Sequence, residues 1–269
     1  MDAKPFHIEP LRLSADPVTL RPPVVDGLFR RGECCNWIAA PKTGKTWLVY
    51  TLVSAILRGR PWCGFPTTVG RVLLIDNELH RETGLQRLQR VFHQSGMEWE
   101  EVESMMDVAW LRGRRAGLEE LETTVRQYPR GTWSLIVLDA FYRFLPRGTD
   151  ENSNSDMAQM MNHVDAIAAY ADAAVVNVHH ATKGTQAGKD TMDIGAGAGA
   201  IGRATDSHVV FLRHAEEDCI TMRARCRSFR APAPCVIQLD FAYPRAWVRD
   251  DLEPDQLYAP EPARKGKGA

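Results

Sequence analysis

The chain has 269 residues, of which 44% are hydrophobic and 25% charged, with a formal net charge of −1. Such a length and balance suit one α/β domain with small additions, able to bury a core. They exclude a global basic field, so any DNA contact must come from a local patch or from several subunits converging on one strand. The six cysteines form no C-x-x-C pair and no metal-ligand rhythm, which predicts reduced structural thiols. No basic start leads into an apolar run, and no segment approaches about 18 consecutive apolar residues. The expectation is a soluble, cytoplasmic protein with no membrane partner.

Residues 1–26 carry Pro5, Pro10, Pro17, Pro22 and Pro23 and little periodicity, and predict an extended N-terminal arm that packs on a neighbour. Cys34 to Ile38 is short and apolar, a strand whose adjacent cysteines should point to opposite faces. Trp47 to Leu57 has helical spacing at Leu48, Val49, Leu52, Val53, Ala55 and Ile56. Arg71 to Asp76 (RVLLID) predicts a strand buried on both faces, and Arg81 to Ser95 a helix closed by Gly96. A strand at Val108–Leu111, an acidic helix at Leu118–Gln127 and a buried strand at Ser134–Asp139 (SLIVLD) follow. Asp156 to Ala171 predicts a helix capped by Ser153 or Ser155, and Ala173 to Val178 the next strand. Alternating strands and helices imply a mostly parallel sheet covered on both sides. Ser207–Arg213, Asp218–Arg227, Cys235–Phe241 and Ala246–Arg249 alternate like strands and predict an antiparallel C-terminal extension. One domain over 27–250 is expected, with a flexible basic tail at 251–269.

Between the first strand and first helix lies Ala39-Ala40-Pro41-Lys42-Thr43-Gly44-Lys45-Thr46, a phosphate-binding loop. A strand, a tight loop and a helix N-terminus aim backbone N–H groups and a positive dipole end at one point, as a polyphosphate requires. Lys45 would reach the β- and γ-phosphates, and the Thr46 hydroxyl would hold Mg²⁺. The usual first glycine is replaced by Ala39, tolerable if its φ stays negative. Asp139, after four apolar residues, has the Walker B arrangement and would support the metal through a water. Glu78 follows RVLLID on a strand read as the neighbour of the phosphate-loop strand, where it could polarise an attacking water; Asp76 is the alternative base. His179 and His180 end a strand and could sense the γ-phosphate. The glycine-rich run from Lys183 to Gly202 suits a loop that orders on a ligand.

Together these features resemble a RecA-type ATPase of the hexameric replicative helicase group, nearest in likeness to the plasmid RepA helicase family. The carrying residues are Ala40, Pro41, Lys42, Thr43, Gly44, Lys45, Thr46 and Trp47 (APKTGKTW), Glu78, Leu138 to Phe144 (LDAFYRF), Glu151-Asn152 and His179 to Gly184 (HHATKG). The resemblance spans about residues 25–240. It implies ATP-driven movement along single-stranded DNA by a homo-oligomeric, hexameric ring, with ATP and Mg²⁺ as cofactors and a replication initiator or primase as a further partner. On the matched positions it implies Lys45 and Thr46 on phosphate and metal, Asp139 supporting the metal, Glu78 as base and His179 or His180 as sensor. Lys183 and Lys189 fall in a loop similar to the family's DNA-binding loop. Arg225-Cys226-Arg227 resembles the paired basic residues that such rings insert into a neighbour's site, with Arg203 as an alternative. The period-two spacing of Arg223, Arg225 and Arg227 also fits a solvated strand face. A regulatory or DNA-binding ATPase that does not unwind is the competing function.

Overall fold

The computed structural model describes residues 8–11, 16–39, 43–146, 153–180 and 202–258. A two-stranded ribbon of Pro23–Val25 (β1) and Phe29–Arg30 (β2) leads into Cys34–Ala39 (β3), which is buried throughout. Lys45–Arg58 (α1) follows, then Val72–Asp76 (β4), Arg81–Ser95 (α2), Trp99–Met105 (α3) and Met106–Trp110 (β5). Leu118–Val125 (α4), Leu135–Asp139 (β6), a 3₁₀ turn at Phe141–Phe144, Asn154–Ala171 (α5) and Ala174–His180 (β7) complete the α/β part. Ser207–Arg213 (β8), Cys219–Cys226 (β9), Cys235–Asp240 (β10) and Arg245–Val248 (β11) form the extension.

The main sheet has nine strands in the order β11-β10-β9-β8-β3-β7-β6-β4-β5. Strands β8, β3, β7, β6, β4 and β5 are mutually parallel, as helix-long connections permit, while β9, β10 and β11 pair antiparallel. The apolar strands β4, β6 and β7 sit inside the sheet, where both faces are covered and the backbone is satisfied by pairing. Alternation sends Cys35 into the core under α1 and α2, and Cys34 into the core under α4 and α5.

Helix α1 buries Leu48, Val49, Leu52, Val53, Ala55 and Ile56, and α5 buries Met157, Met160, Met161, Val164, Ile167 and Ala168, as their spacing predicts. Ser153 caps α5, its hydroxyl accepting from the Asp156 N–H at 3.4 Å. Gly96 closes α2 in the left-handed region. At Gly84 a Cβ would lie 2.2 Å from Trp110 Cη2, so α2 approaches β5 through a glycine.

Four expectations are corrected. Strand β4 is not beside β3: β7 and β6 lie between them. The chain leaves those positions open and fills them later, with α4 and α5 covering the face opposite α1 and α2. Helix α3 was not predicted; it is seven residues long and buries only Val102, too little to show a period. The arm gives way at Pro23, because Val24 and Val25 are buried in the core. The flexible tail does not begin at 251. The Thr221 hydroxyl donates to Pro254 O at 2.9 Å, and Ala215 N–H and Tyr258 N–H donate to Gln256 O and Arg213 O. Among the described residues no helix is long and apolar enough to cross a membrane.

Candidate active site

Parallel strands bring their C-terminal ends to one edge. Register aligns Ala39 of β3 with His180 of β7, Asp139 of β6 with Val178 of β7, and Asp76 of β4 with Asp139. The carboxylates at 76 and 139, the imidazole at 180 and the start of α1 therefore meet at the end of β3.

Ala39 ends β3 in extended conformation and is not among the residues with positive φ, so its methyl group is accommodated. Gly44 has φ +85°, and a Cβ there would lie 2.7 Å from Leu239 Cδ1. Two separate constraints thus demand glycine one residue before α1. Ala40, Pro41 and Lys42 lie outside the described residues, as do Lys183, Lys189 and Glu151-Asn152.

Lys45 Nζ donates to Ala39 O at 3.0 Å and lies 3.0 Å from His180 Nδ1. Burial pushes its amine down to about 8, against the opposing pull of Asp139 and Glu78. With Lys45 donating to Nδ1, a neutral His180 carries its proton on Nε2, 3.4 Å from Glu78 Oε1. The Thr46 hydroxyl donates to Asp139 Oδ2 at 3.3 Å. Burial first, then Asp76 and Glu78, push the Asp139 carboxyl up to about 7, while Thr46 and Lys45 oppose the shift.

Glu78 and Asp76 separate cleanly. Asp76 Oδ1 accepts the N–H groups of Glu78 at 2.9 Å and Leu79 at 2.8 Å, and Oδ2 accepts from the Tyr50 hydroxyl at 3.3 Å. Asp76 is a turn-forming carboxylate, already engaged. Glu78 instead accepts from the Tyr142 hydroxyl at 2.9 Å, and the His180 bond followed by the Tyr142 bond holds its carboxyl below the usual range despite burial. Asn77, between them, pairs twice with Ala140, accepting its N–H at 2.9 Å and donating to its O at 3.2 Å. That bond pair locks the ends of β4 and β6 together.

The two histidines part company because a strand alternates. His180 joins the Lys45 cluster, whereas His179 turns to the other face and packs on the Phe141 ring at 4.6 Å. Burial pushes its imidazole down to about 3, so it stays neutral there.

Arg225 and Arg227 are not in this cluster. Register pairs His208 with Arg225 and Ser207 with Cys226, at the start of β8, so both arginines lie a strand's length away at the opposite edge. Arg227 pairs with Asp206 at 3.4 Å and donates to Arg203 O. Arg203, exposed, belongs to the same edge.

Tyr142, Arg143 and Asn77 received no role from the sequence. The run LDAFYRF was the available signal, but only the 3₁₀ turn shows that Tyr142 folds back to the end of β4. Trp47 also gains neighbours that sequence did not suggest: Phe241 at 6.4 Å, and the guanidinium groups of Arg87 and Arg90 at 5.4 and 5.3 Å over its ring. Beside Thr43 opens a cleft of about 320 Å³, lined by Arg213, Glu217, Leu239, Phe241 and Tyr258 among others.

A family profile described as AAA domain matches residues 3–186, a span that takes in β3, β4, β6 and β7. No curated protein matches the chain. Among solved structures it is similar to the ATPase domain of a helicase, at 11% sequence identity, over 81% of this chain and 85% of that one, with a TM-score of 0.61. The fold is that of a RecA-like P-loop ATPase domain, with a mostly parallel sheet and an antiparallel extension.

Proposed function

The chain belongs to the AAA domain family, and from that premise we propose that it is an ATP-hydrolysing motor that moves along single-stranded DNA as a ring of identical subunits. The observation that carries the proposal is the joining of Lys45, His180 and Glu78 in one hydrogen-bonded line at the mouth of the phosphate loop, with Thr46 and Asp139 beside it. A bare phosphate-binding loop would need only the first of these; a base and a link to it are what hydrolysis adds.

Thr46 and Asp139 fit Mg²⁺, since both present hard oxygens and the carboxylate is buried without full compensation. Bound there, the cation would neutralise phosphate charge. Lys45 leaves Ala39 O and His180 to pair with the β- and γ-phosphates. Glu78 accepts the proton of the attacking water. His180, touching both residues, reports whether Lys45 is engaged. The cleft beside Thr43 takes the ribose and base between Phe241 and the Arg213–Tyr258 pair, whose guanidinium lies 4.3 Å from the ring centre. Arg225, Arg227 or Arg203 serves a neighbouring subunit, Lys183 and Lys189 contact DNA, and a RepA-like helicase role in replication of a plasmid, phage or mobile element is the finer reading.

The test is ATP hydrolysis with and without single-stranded DNA, run beside a strand-displacement assay. Stimulated hydrolysis with displacement is expected. Stimulation without displacement would replace the motor by a regulatory ATPase, a reading favoured by the net charge of −1. Absence of hydrolysis would overturn both.

A further inference from the structure

We propose that Tyr142 is a positioning residue for Glu78: its hydroxyl fixes the Glu78 carboxylate so that one oxygen is held by the protein and the other faces water. The inference rests on the reading of Glu78 as the base. The bonds to that carboxylate from the Tyr142 hydroxyl at 2.9 Å and from His180 Nε2 at 3.4 Å both fall on Oε1. Oε2 therefore keeps its lone pairs for an incoming proton.

Tyr142 is itself oriented. Arg143 Nε donates to its hydroxyl at 3.1 Å, so the phenolic oxygen accepts from one side and its proton is directed at Glu78. The ring lies 5.6 Å from the His180 ring, which places the two donors to Oε1 side by side. Burial and the Glu78 contact push the phenol above its ordinary value, so it remains a donor through neutral pH. The other charged groups around Glu78 are Lys45, Arg143, Asp76 and Asp139. A general base contributes about 10²–10⁴ in rate only when it is aimed at its proton. A hydrogen bond to a charged group is the means of aiming it here.

The experiment compares Tyr142→Phe, Glu78→Gln and the double variant by steady-state ATP hydrolysis, with nucleotide affinity and melting temperature measured on each. Tyr142→Phe keeps the ring and loses only the oxygen. Its kcat should fall about tenfold, the worth of one hydrogen bond to a carboxylate, with KM, affinity and melting temperature unchanged. In the Glu78→Gln background the same change should cost nothing further. Arg143→Gln, at an exposed position, should lower kcat less and in the same pattern. A Tyr142→Phe enzyme with parental kcat, beside an inactive Glu78→Gln, would overturn the positioning role alone. An equal further loss in the double variant would also overturn it, because Tyr142 would then act independently of Glu78. Parental turnover by Glu78→Gln would instead sink the reading of the base.

Discussion

Lys45 Nζ and His180 Nδ1 lie 3.0 Å apart, and the strand register that pairs Ala39 with His180 brings them together. The ammonium that must neutralise phosphate is thus held by the strand end and by the imidazole that touches Glu78. A polyphosphate competes for the same ammonium, so its arrival changes the partner of His180 and with it the surroundings of Glu78.

His180→Ala should therefore change how turnover depends on pH. The Glu78 carboxyl is held below its usual range, with the His180 bond the largest cause. A general base works ionised, so activity is lost as pH falls through its pKa. Removing His180 takes away the stabiliser of the charged form and raises that pKa, and the acid limb of the kcat profile should move to higher pH. A limb unmoved from the parental position would show that His180 does not set the charge of Glu78.

Gly44→Ala should destabilise the chain by about 1–3 kcal/mol, the cost of holding a side chain at a left-handed φ. The φ of +85° and the 2.7 Å approach of Leu239 Cδ1 act together. Nucleotide affinity should fall as well, since the same residue sets the first turn of α1. Thermal melts and nucleotide titrations check both effects, and a variant equal to the parent in both would contradict this geometry.

Much of this was legible in the sequence because it was local. Helix α2 ends at Ser95 before Gly96, as predicted, since both the apolar period and the stop residue lie in one short run. Glu78, Lys45, Thr46 and Asp139 were identifiable because each stands at a fixed distance from a strand end. What sequence could not supply was order across the sheet. Placing β7 and β6 between β3 and β4 decides which strand ends meet, and no residue of β4 records it. Hence the choice between Asp76 and Glu78, and between His179 and His180, stayed open until strand alternation and turn geometry were in view. The bond from Tyr142 to Glu78 spans 64 residues and left no local signal.

Asp139→Asn should stabilise the nucleotide-free chain, and the gain should depend on pH. Folding raises the Asp139 carboxyl from 3.8 to about 7, chiefly through burial. The folded state thus holds its proton where the unfolded state has released it. That contribution is fully present below the unfolded value and is lost as pH rises through the folded one. Asparagine cannot ionise, so the melting temperature of the variant minus that of the parent should be smallest near pH 4 and grow until about pH 7. Beyond that it should level off. A difference of a few degrees is expected, since about 1 kcal/mol shifts a chain of this size by about 2–4 °C. A difference that does not change with pH would mean that Asp139 is already ionised at low pH in the folded chain.

Arg227 offers the sharpest test of a shared site. It lies at the sheet edge away from its own Lys45 cluster and pairs with Asp206 at 3.4 Å, a half-exposed ion pair of small worth that a phosphate could outcompete. Positive charge supplied in trans can contribute about 10³–10⁵ in rate, yet it does nothing for the subunit that carries it. Arg227→Ala and Glu78→Gln subunits should each be inactive alone. Mixed, they should recover part of the activity, because some boundaries pair an intact Glu78 with an intact Arg227. The same mixtures made with Arg225→Ala and Arg203→Ala identify which arginine crosses the boundary. If no mixture recovers hydrolysis although every variant still assembles, these arginines do not complete a neighbour's site. Single-stranded DNA titrations across a salt series would then separate the two remaining roles: a DNA contact loses salt dependence on substitution, and a solvated strand face does not.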